Sequence, residues 1–496
     1  MAEPPKAVLW TSDEIAVATG GTAHGRFETT GVTFDSREVE PGDLFVALPG
    51  VRDGHEFAEA AAARGAAGCL VTRPVPGGHV QVEDALRGLE ALGVVARERA
   101  PARRAAVTGS VGKTSVTQAI AAALRLAGAS HNSVKSFNNH IGVPLTLARM
   151  PRDTQRAVFE IGMNHADEIT PLSRMVRPHV AVVTNVGPVH TENFADGEAG
   201  VARAKAEIFD GLEPGGAAVI PADGPWAAFL REAAERAGAR VLTFGTAERA
   251  DAQVLQDRPP PLAGEVARRA GGGVSTHGAA PPVGSAATSP ASGGGLFRIR
   301  LHGRELSVRV GQSGAHWGVN AAAVLLACGE LGVPVETTLE ALAGFGALAG
   351  RGAETRVLTP DGDFLLVDES YNANPVSMRA AMDTLSRRPL LTEGGRRLVV
   401  LSDMLELGDG AERLHAELAP VAQAAGVALA FSAGPHMRAF HDALPAALRG
   451  GWAPTAAELA PVVAAAVRPG DVVMVKGSNG SKASLVARAL AALGER

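Results

Sequence analysis

The chain runs to 496 residues, 46% of them hydrophobic and 20% charged, with a formal net charge of -5 and a pI near 6.3. At roughly 150 residues per domain that length calls for about three cores, and so mild an acidity leaves no basic footprint for nucleic acid, although a local basic cleft for a phosphorylated substrate stays open. Cys69 and Cys328 stand alone in alanine-rich stretches read as buried helices; this excludes a disulfide framework and a cysteine-based zinc site and suits a reducing cytosol. The start MAEPPKAVLWTSDEI lacks a basic region followed by an apolar one. No run approaches the ~20 apolar residues of a membrane span, so a cytoplasmic chain without membrane insertion is expected.

Residues 1–101 read as a small α/β unit. Leu44, Val46 and Leu48 alternate with Phe45 and Ala47 in a strand apolar on both faces, Gly68 to Val71 is the next strand, and a helix from His55 to Arg64 is polar enough to be exposed. Asp35-Ser36-Arg37 and Asp53-Gly54-His55 fall in loops, where ligand contact and ordinary turn chemistry are equally open.

Residues 102–346 alternate strands with helical stretches, the mark of a mostly parallel sheet. A strand from Arg104 to Val107 leads into Thr108-Gly109-Ser110-Val111-Gly112-Lys113-Thr114-Ser115 and then a helix from Gln118 to Ala127. Glycines let successive N–H groups and the helix N-terminus face an anion, Lys113 adds a positive charge, and the Thr114 hydroxyl suits Mg2+. Val107 stands where the usual phosphate loop has its first glycine, so Gly109 opens a shorter one. Further strands are expected at Val158–Ile161, His179–Asn185, Gly216–Ile220 and Arg240–Phe244. Ligands of such a sheet sit at the carboxyl ends of strands, where Glu160, Asn185 and, a little beyond, His190 converge on the loop. Glu160 interrupts an apolar run and is either a metal ligand or a strand-end residue facing water; a hard Mg2+ favours the carboxylate over His190. Lys205 lies four residues after Val201, three before Ile208 and four before Phe209, on the apolar stripe of a helix. A lysine there either snorkels outward, the commoner case, or is held for chemistry. From 258 to 295 Pro, Gly, Ala, Ser and Thr dominate, a disordered surface insertion too poor in large apolar side chains to offset the entropy of ordering. Leu296–Leu301 and Glu305–Val310 make a hairpin, and the following helix, Val319 to Leu331, carries Asn320 near its start.

Residues 347–496 are again α/β, with strands at Phe364–Val367, Leu398–Leu401, Ala428–Phe431 and Val472–Val475. The first ends in Asp368-Glu369-Ser370-Tyr371-Asn372-Ala373-Asn374-Pro375, which holds the only tyrosine and precedes a helix that Pro375 is well placed to start. Ser402 to Gly408 and Lys476 to Lys482 close two other strands with further polar residues.

Laid side by side, DSREVEPGDLFVAL, RDGHEF, TGSVGKTS, FNNHIGVPLTL, EIGMNHADEI, TNVGPVH, AKAEIF, DESYNANPVSMRAAMDTL, LSDMLELG and VKGS resemble the Mur ligase family in that family's order, over nearly the whole chain. The resemblance implies an α/β protein of three domains: 1–101 holding the UDP end of the substrate, 102–346 a central phosphate-loop ATPase-like unit on a parallel sheet, and 347–496 a Rossmann-like unit closing over the nucleotide. FNNHIGVPLTL and SYNANPVSM imply the member that joins D-alanyl-D-alanine to UDP-N-acetylmuramoyl-tripeptide through an acyl-phosphate, using ATP and two Mg2+ ions, as a monomer. On this resemblance Gly109, Ser110, Val111, Gly112, Lys113, Thr114, Ser115, Asn320, Arg351, Asp368 and Asn372 bind ATP. Thr114, Glu160, His190 and Lys205 serve the metals, with Lys205 carbamylated. Lys113, Lys205 and His190 act in catalysis, and Ser36, Arg37, Asn138, Asn139 and Asn374 bind substrate. The chain departs from the family at His316-Trp317, where Trp317 is left as an alternative stacking partner for adenine. It departs also at Glu369, Ser402 and Asn479, the last shifting any charge contact from that loop towards Lys482. A sibling ligase or a folylpolyglutamate synthase would share the loop and the lysine without both runs, and a silent nucleotide-regulated scaffold need not keep all the metal residues.

Overall fold

The computed structural model describes residues 7–50, 52–133, 137–189, 191–258, 294–312, 314, 316–346, 350–405 and 407–495. His190 and the body of the expected 258–295 insertion lie outside the described residues. Three α/β units are built on three sheets. In the first, strands Thr22–His24, His79–Gln81, Gly68–Val71, Asp43–Val46 and Gly31–Thr33 lie side by side, all parallel except the Thr22–His24 edge. The central sheet has nine strands. Seven run parallel, from Ser130–Asn132 at one edge through Arg156–Glu160, Arg103–Thr108, Val180–Val183, Ala217–Pro221 and Arg240–Gly245 to Ala252–Arg258. The antiparallel hairpin Gly295–Leu301 and Arg304–Val310 closes the other edge. The third sheet orders Ala353–Thr359, Gly362–Glu369, Val472–Lys476, Arg397–Ser402, Leu429–Ala433 and Arg449–Ala453, with only the first pair antiparallel. Among the described residues no helix is long and apolar enough to cross a membrane.

The inner parallel strands are apolar through their middles because helices cover both faces. Ala105, Val107, Val158, Val180, Val182, Ala217 and Val219 enter one core with the Lys113–Ala127 and His316–Glu330 helices. The intervening Ala106, Ala157, Phe159, Ala181, Val183, Ala218 and Ile220 enter the opposite core. That strict alternation is the two-residue period of a strand, and the doubled burial is what makes the runs look unpatterned in the sequence.

Two sequence expectations in the first unit change. The stretch from His55 begins as a 3-10 turn, Gly54–Phe57, whose start is capped by the Asp53 carboxylate, and the helix proper is Ala58–Ala63 with Ala58 and Ala61 buried against Phe45 and Cys69. Only that one edge is buried; Glu59, Ala60, Ala62, Ala63 and Arg64 are exposed, as expected of this stretch. Cys69 is buried in the Gly68–Val71 strand, not in a helix; Cys328 is in the buried helix expected.

Two histidines knit the central sheet while neutral. His131 faces the Thr146 carbonyl at 2.7 Å and packs on Phe159, and His179 Nδ1 accepts the Arg104 N–H at 3.1 Å. Loss of water contact pushes both pKa values down to about 4, with the charges of Arg104 and Arg103 adding to the effect at His179. The unfolded chain, with histidines near 6.5, therefore takes up more protons than the folded chain between pH 6.5 and 4, and stability falls as pH drops through that window. Urea melts should show this fall, and a His131→Gln, His179→Asn double variant, which keeps one amide partner at each site, should flatten it.

Candidate active site

The central and third sheets present the carboxyl ends of their parallel strands to a common cleft of about 280 Å³. From the central sheet come Ser110 to Thr114 after the Arg103–Thr108 strand, and Glu160, the last residue of its own strand. From the third come Tyr371 to Asn374 after Gly362–Glu369, Leu405 and Leu407 after Arg397–Ser402, and Ser478 to Gly480 after Val472–Lys476. Asn138, Val189 and Arg351 complete the lining.

The loop is held from behind by the neighbouring strand end. Gly109 has φ +150°, and a Cβ there would stand 1.9 Å from Thr184 Oγ1, so no larger residue fits. Thr184 Oγ1 donates to the Val111 carbonyl at 2.6 Å, Asn185 Oδ1 accepts the Val111 N–H at 2.9 Å, and the Ser110 hydroxyl bonds both polar groups of the Gly187 backbone. Asn185 is thus a buttress of the loop. The Lys113–Ala127 helix begins at the cleft, and Lys113 Nζ donates to the Gly109 carbonyl at 2.8 Å. Restricted water access lowers the Lys113 pKa; Glu160 opposes this and Arg351 adds to it. Ser115 follows outside the lining, and Asn320 Oδ1 lies 3.4 Å from where a Gly112 Cβ would be.

Glu160 is 1% exposed. Its Oε2 accepts from Thr114 Oγ1 at 2.7 Å, its Oε1 from Asn138 Nδ2 at 2.8 Å, and its N–H reaches Ser133 Oγ at 3.1 Å. A hydroxyl and a carboxylate this close are the hard oxygen donors that Mg2+ takes, and a phosphate-bound Mg2+ needs few protein ligands. Among the described residues no three His, Cys, Asp or Glu side chains cluster to hold an ion, which suits a metal completed by phosphate and water oxygens. Lys205, 3% exposed in the Glu198–Ala206 helix, has no hydrogen-bond or ion-pair partner among the described residues. Burial, and then the Lys113 charge, push its pKa well below the usual lysine range.

Other expected site residues are placed more variously. Asn372 and Asn374 line the cleft. Asn374 Oδ1 caps the Pro375–Ser386 helix through the Ser377 N–H at 2.8 Å, while its buried Nδ2 has no hydrogen-bond partner among the described residues. Asn139 Oδ1 accepts the Ile141 and Gly142 N–H groups, at 3.2 and 2.9 Å, just before the Gly142–Ala148 helix. Ser36 and Arg37 follow the Gly31–Thr33 strand of the first sheet, outside the cleft lining, where the exposed Arg37 pairs with Asp35. Lys482 is exposed and also outside the lining, so the cationic side chains of the cleft are Lys113 and Arg351. Sequence reading passed over Lys476, 3% exposed, whose Nζ donates to the Asn372 carbonyl at 2.9 Å and pairs with Glu369 at 3.3 Å. Its signal was a lysine closing a wholly apolar strand.

Family models match along the chain: "Mur ligase family, catalytic domain" at residues 28–81, "Mur ligase middle domain" at 107–328 and "Mur ligase, glutamate ligase domain" at 335–479. The UDP-N-acetylmuramoyl-tripeptide–D-alanyl-D-alanine ligase of Escherichia coli is 34% identical over 83% of this chain and 83% of its own length. That of Bacillus subtilis is 34% identical over 83% and 82%. A crystal structure of MurF from Acinetobacter baumannii superimposes with a TM-score of 0.80 at 27% identity, covering 98% of this chain and 99% of that one.

Both Asp368 carboxylate oxygens accept backbone N–H groups, from Gly350 and Ser370 at 3.1 Å each, so Asp368 also staples the chain leading into the cleft. One expectation does not fit the geometry. Trp317 is 2% exposed and packs edge-on against Phe345, 5.5 Å between ring centres, within the core of the central unit. It cannot stack on a nucleotide. Trp317→Ala should accordingly lower unfolding free energy by about 3–5 kcal/mol in urea melts; a variant of unchanged stability that loses only nucleotide affinity would return Trp317 to the site.

Proposed function

This chain belongs to the Mur ligase family, and from that premise we propose that it joins D-alanyl-D-alanine to UDP-N-acetylmuramoyl-tripeptide at the expense of ATP, completing a pentapeptide precursor of peptidoglycan in the cytoplasm. The observation that carries this reading is the single cleft in which the phosphate loop and Glu160 face Arg351 and the Tyr371–Asn374 loop. Identity at 34% to the E. coli and B. subtilis ligases of that name supports the same choice of substrates.

The chemistry sets a clear electrostatic demand. An oxygen of the tripeptide's terminal carboxylate attacks the γ-phosphorus, the bond to ADP breaks, and an acyl-phosphate forms. The dipeptide's amine then attacks the acyl carbon, phosphate leaves with the bonding electrons, and the nitrogen loses its proton. Two like charges 4 Å apart repel by about 4 kcal/mol at an effective dielectric of 20. Fixed positive charge must offset that repulsion, and Lys113 and Arg351 supply it. Thr114 and Glu160 hold Mg2+, with His190 and Lys205 serving a second ion; when bound, the metals add further positive charge at the phosphates. Gly109 to Ser115, Asn320 and Asn372 hold the nucleotide, while Asn138, Asn139 and Asn374 serve the peptide end. The units 1–101, 102–346 and 347–496 divide the work, the first holding the uridine end through Ser36 and Arg37. Closure of the third over the second keeps water from the acyl-phosphate.

Lys205 enters as a carbamate. Burial favours the neutral form of the Lys205 amine, and a neutral amine adds to CO2 by forming an N–C bond and releasing a proton. The product would be a carboxylate on an apolar stripe, a donor of the kind a second Mg2+ would take.

Phosphate release from ATP, with tripeptide substrate and dipeptide each left out in turn, tests the assignment. Release needing both, with the dipeptide recovered in the product, is expected; phosphate without the dipeptide, or a product lacking it, would overturn the reading. Lys205→Ala should abolish turnover, with added bicarbonate giving no recovery, and normal activity in that variant would end the carbamate proposal.

A further inference from the structure

The chain's only tyrosine lies at the point where the second and third units meet. Arg351 sits between Gly350 and Gly352, whose φ values are +72° and +90°, and its guanidinium carbon stands 4.3 Å over the centre of the Tyr371 ring. Tyr371 is itself fixed. Its N–H donates to the Gly350 carbonyl at 3.0 Å, and a Cβ on Gly350 would meet the Tyr371 Cβ at 2.9 Å, so the two segments touch as closely as glycine permits. The Asp368 carboxylate binds the N–H groups of Gly350 and Ser370, the Asp368 carbonyl accepts the Gly352 N–H at 2.8 Å, and Lys476 holds the Asn372 carbonyl from below. Residues 350–352 and 368–372 are therefore one clasp. Both Arg351 and Tyr371 line the cleft opposite Lys113.

We propose that Tyr371 is a positioning residue: its ring is the platform that aims the Arg351 guanidinium at the phosphates of a bound nucleoside triphosphate. An arginine side chain loses much rotational freedom when it is fixed, and stacking fixes it through the face of the guanidinium while leaving the in-plane N–H donors directed at phosphate oxygens. The ring does this; the hydroxyl does not. Tyr371 thus acts through Arg351, and the inference rests on the nucleotide reading above.

The test is a double-mutant cycle read by calorimetric titration with the Mg2+ complex of AMP-PNP, alongside thermal melts. Tyr371→Leu should weaken binding about tenfold, Tyr371→Phe should restore it to within about twofold, and in an Arg351→Ala background Tyr371→Leu should add less than a further twofold. Tyr371→Met serves the same cycle if the leucine variant does not fold. Equal losses in both backgrounds, or a phenylalanine no better than leucine, would overturn the platform while leaving nucleotide binding intact. Failure of the unaltered protein to bind AMP-PNP would remove the nucleotide reading, and this inference with it.

Discussion

Glu160 ends an apolar strand with its carboxylate almost wholly out of water, and a charge so placed is tolerable only because Thr114 and Asn138 each donate to one of its oxygens. Those two bonds tie three parts of the chain together: the first turn of the phosphate-loop helix, the segment before the Gly142–Ala148 helix, and the strand end itself. Lys113 is drawn into the same arrangement, its ammonium favoured by Glu160 and disfavoured by the scarcity of water. The cleft is thus built around a charge balance that exists before any substrate arrives, which is the condition for strong electrostatic effects on a reacting group.

The wider architecture follows from where parallel strands end. Two separate sheets turn their carboxyl ends towards each other, so most of the loops that reach the cleft leave directly from strand ends. Such anchoring makes the site stiff within each unit. At the start of the third unit Gly350 and Gly352 adopt conformations that side chains resist, and Arg351 between them faces the phosphate loop across the cleft.

Much of this is legible in the residues. Alternation along Leu44–Leu48 and the run Val158–Ile161 mark strands that the structure contains, and the polar residues that close apolar strands mark the cleft, because polar groups at such positions need a partner or a ligand. Tertiary packing hid the rest. Trp317 follows a histidine in a polar stretch, and only the fold shows that its helix turns the ring into the core against Phe345. Asp368 and Asn139 belong to runs rich in polar residues, and their side-chain oxygens accept backbone N–H groups, contacts that a one-dimensional pattern does not show. Lys476 looked like the end of a strand and proved to be the prop beneath Asn372.

Arg258 ends the Ala252–Arg258 strand and stands opposite Leu296 of the antiparallel Gly295–Leu301 strand. Its strand is four places from the phosphate-loop strand across the sheet, about 19 Å at the usual strand spacing. The chain departs from and returns to the sheet at partnered residues, so the pairing itself fixes the two ends of whatever sequence joins them. A tag or label introduced between these two strands would therefore enter the chain well away from the phosphate loop.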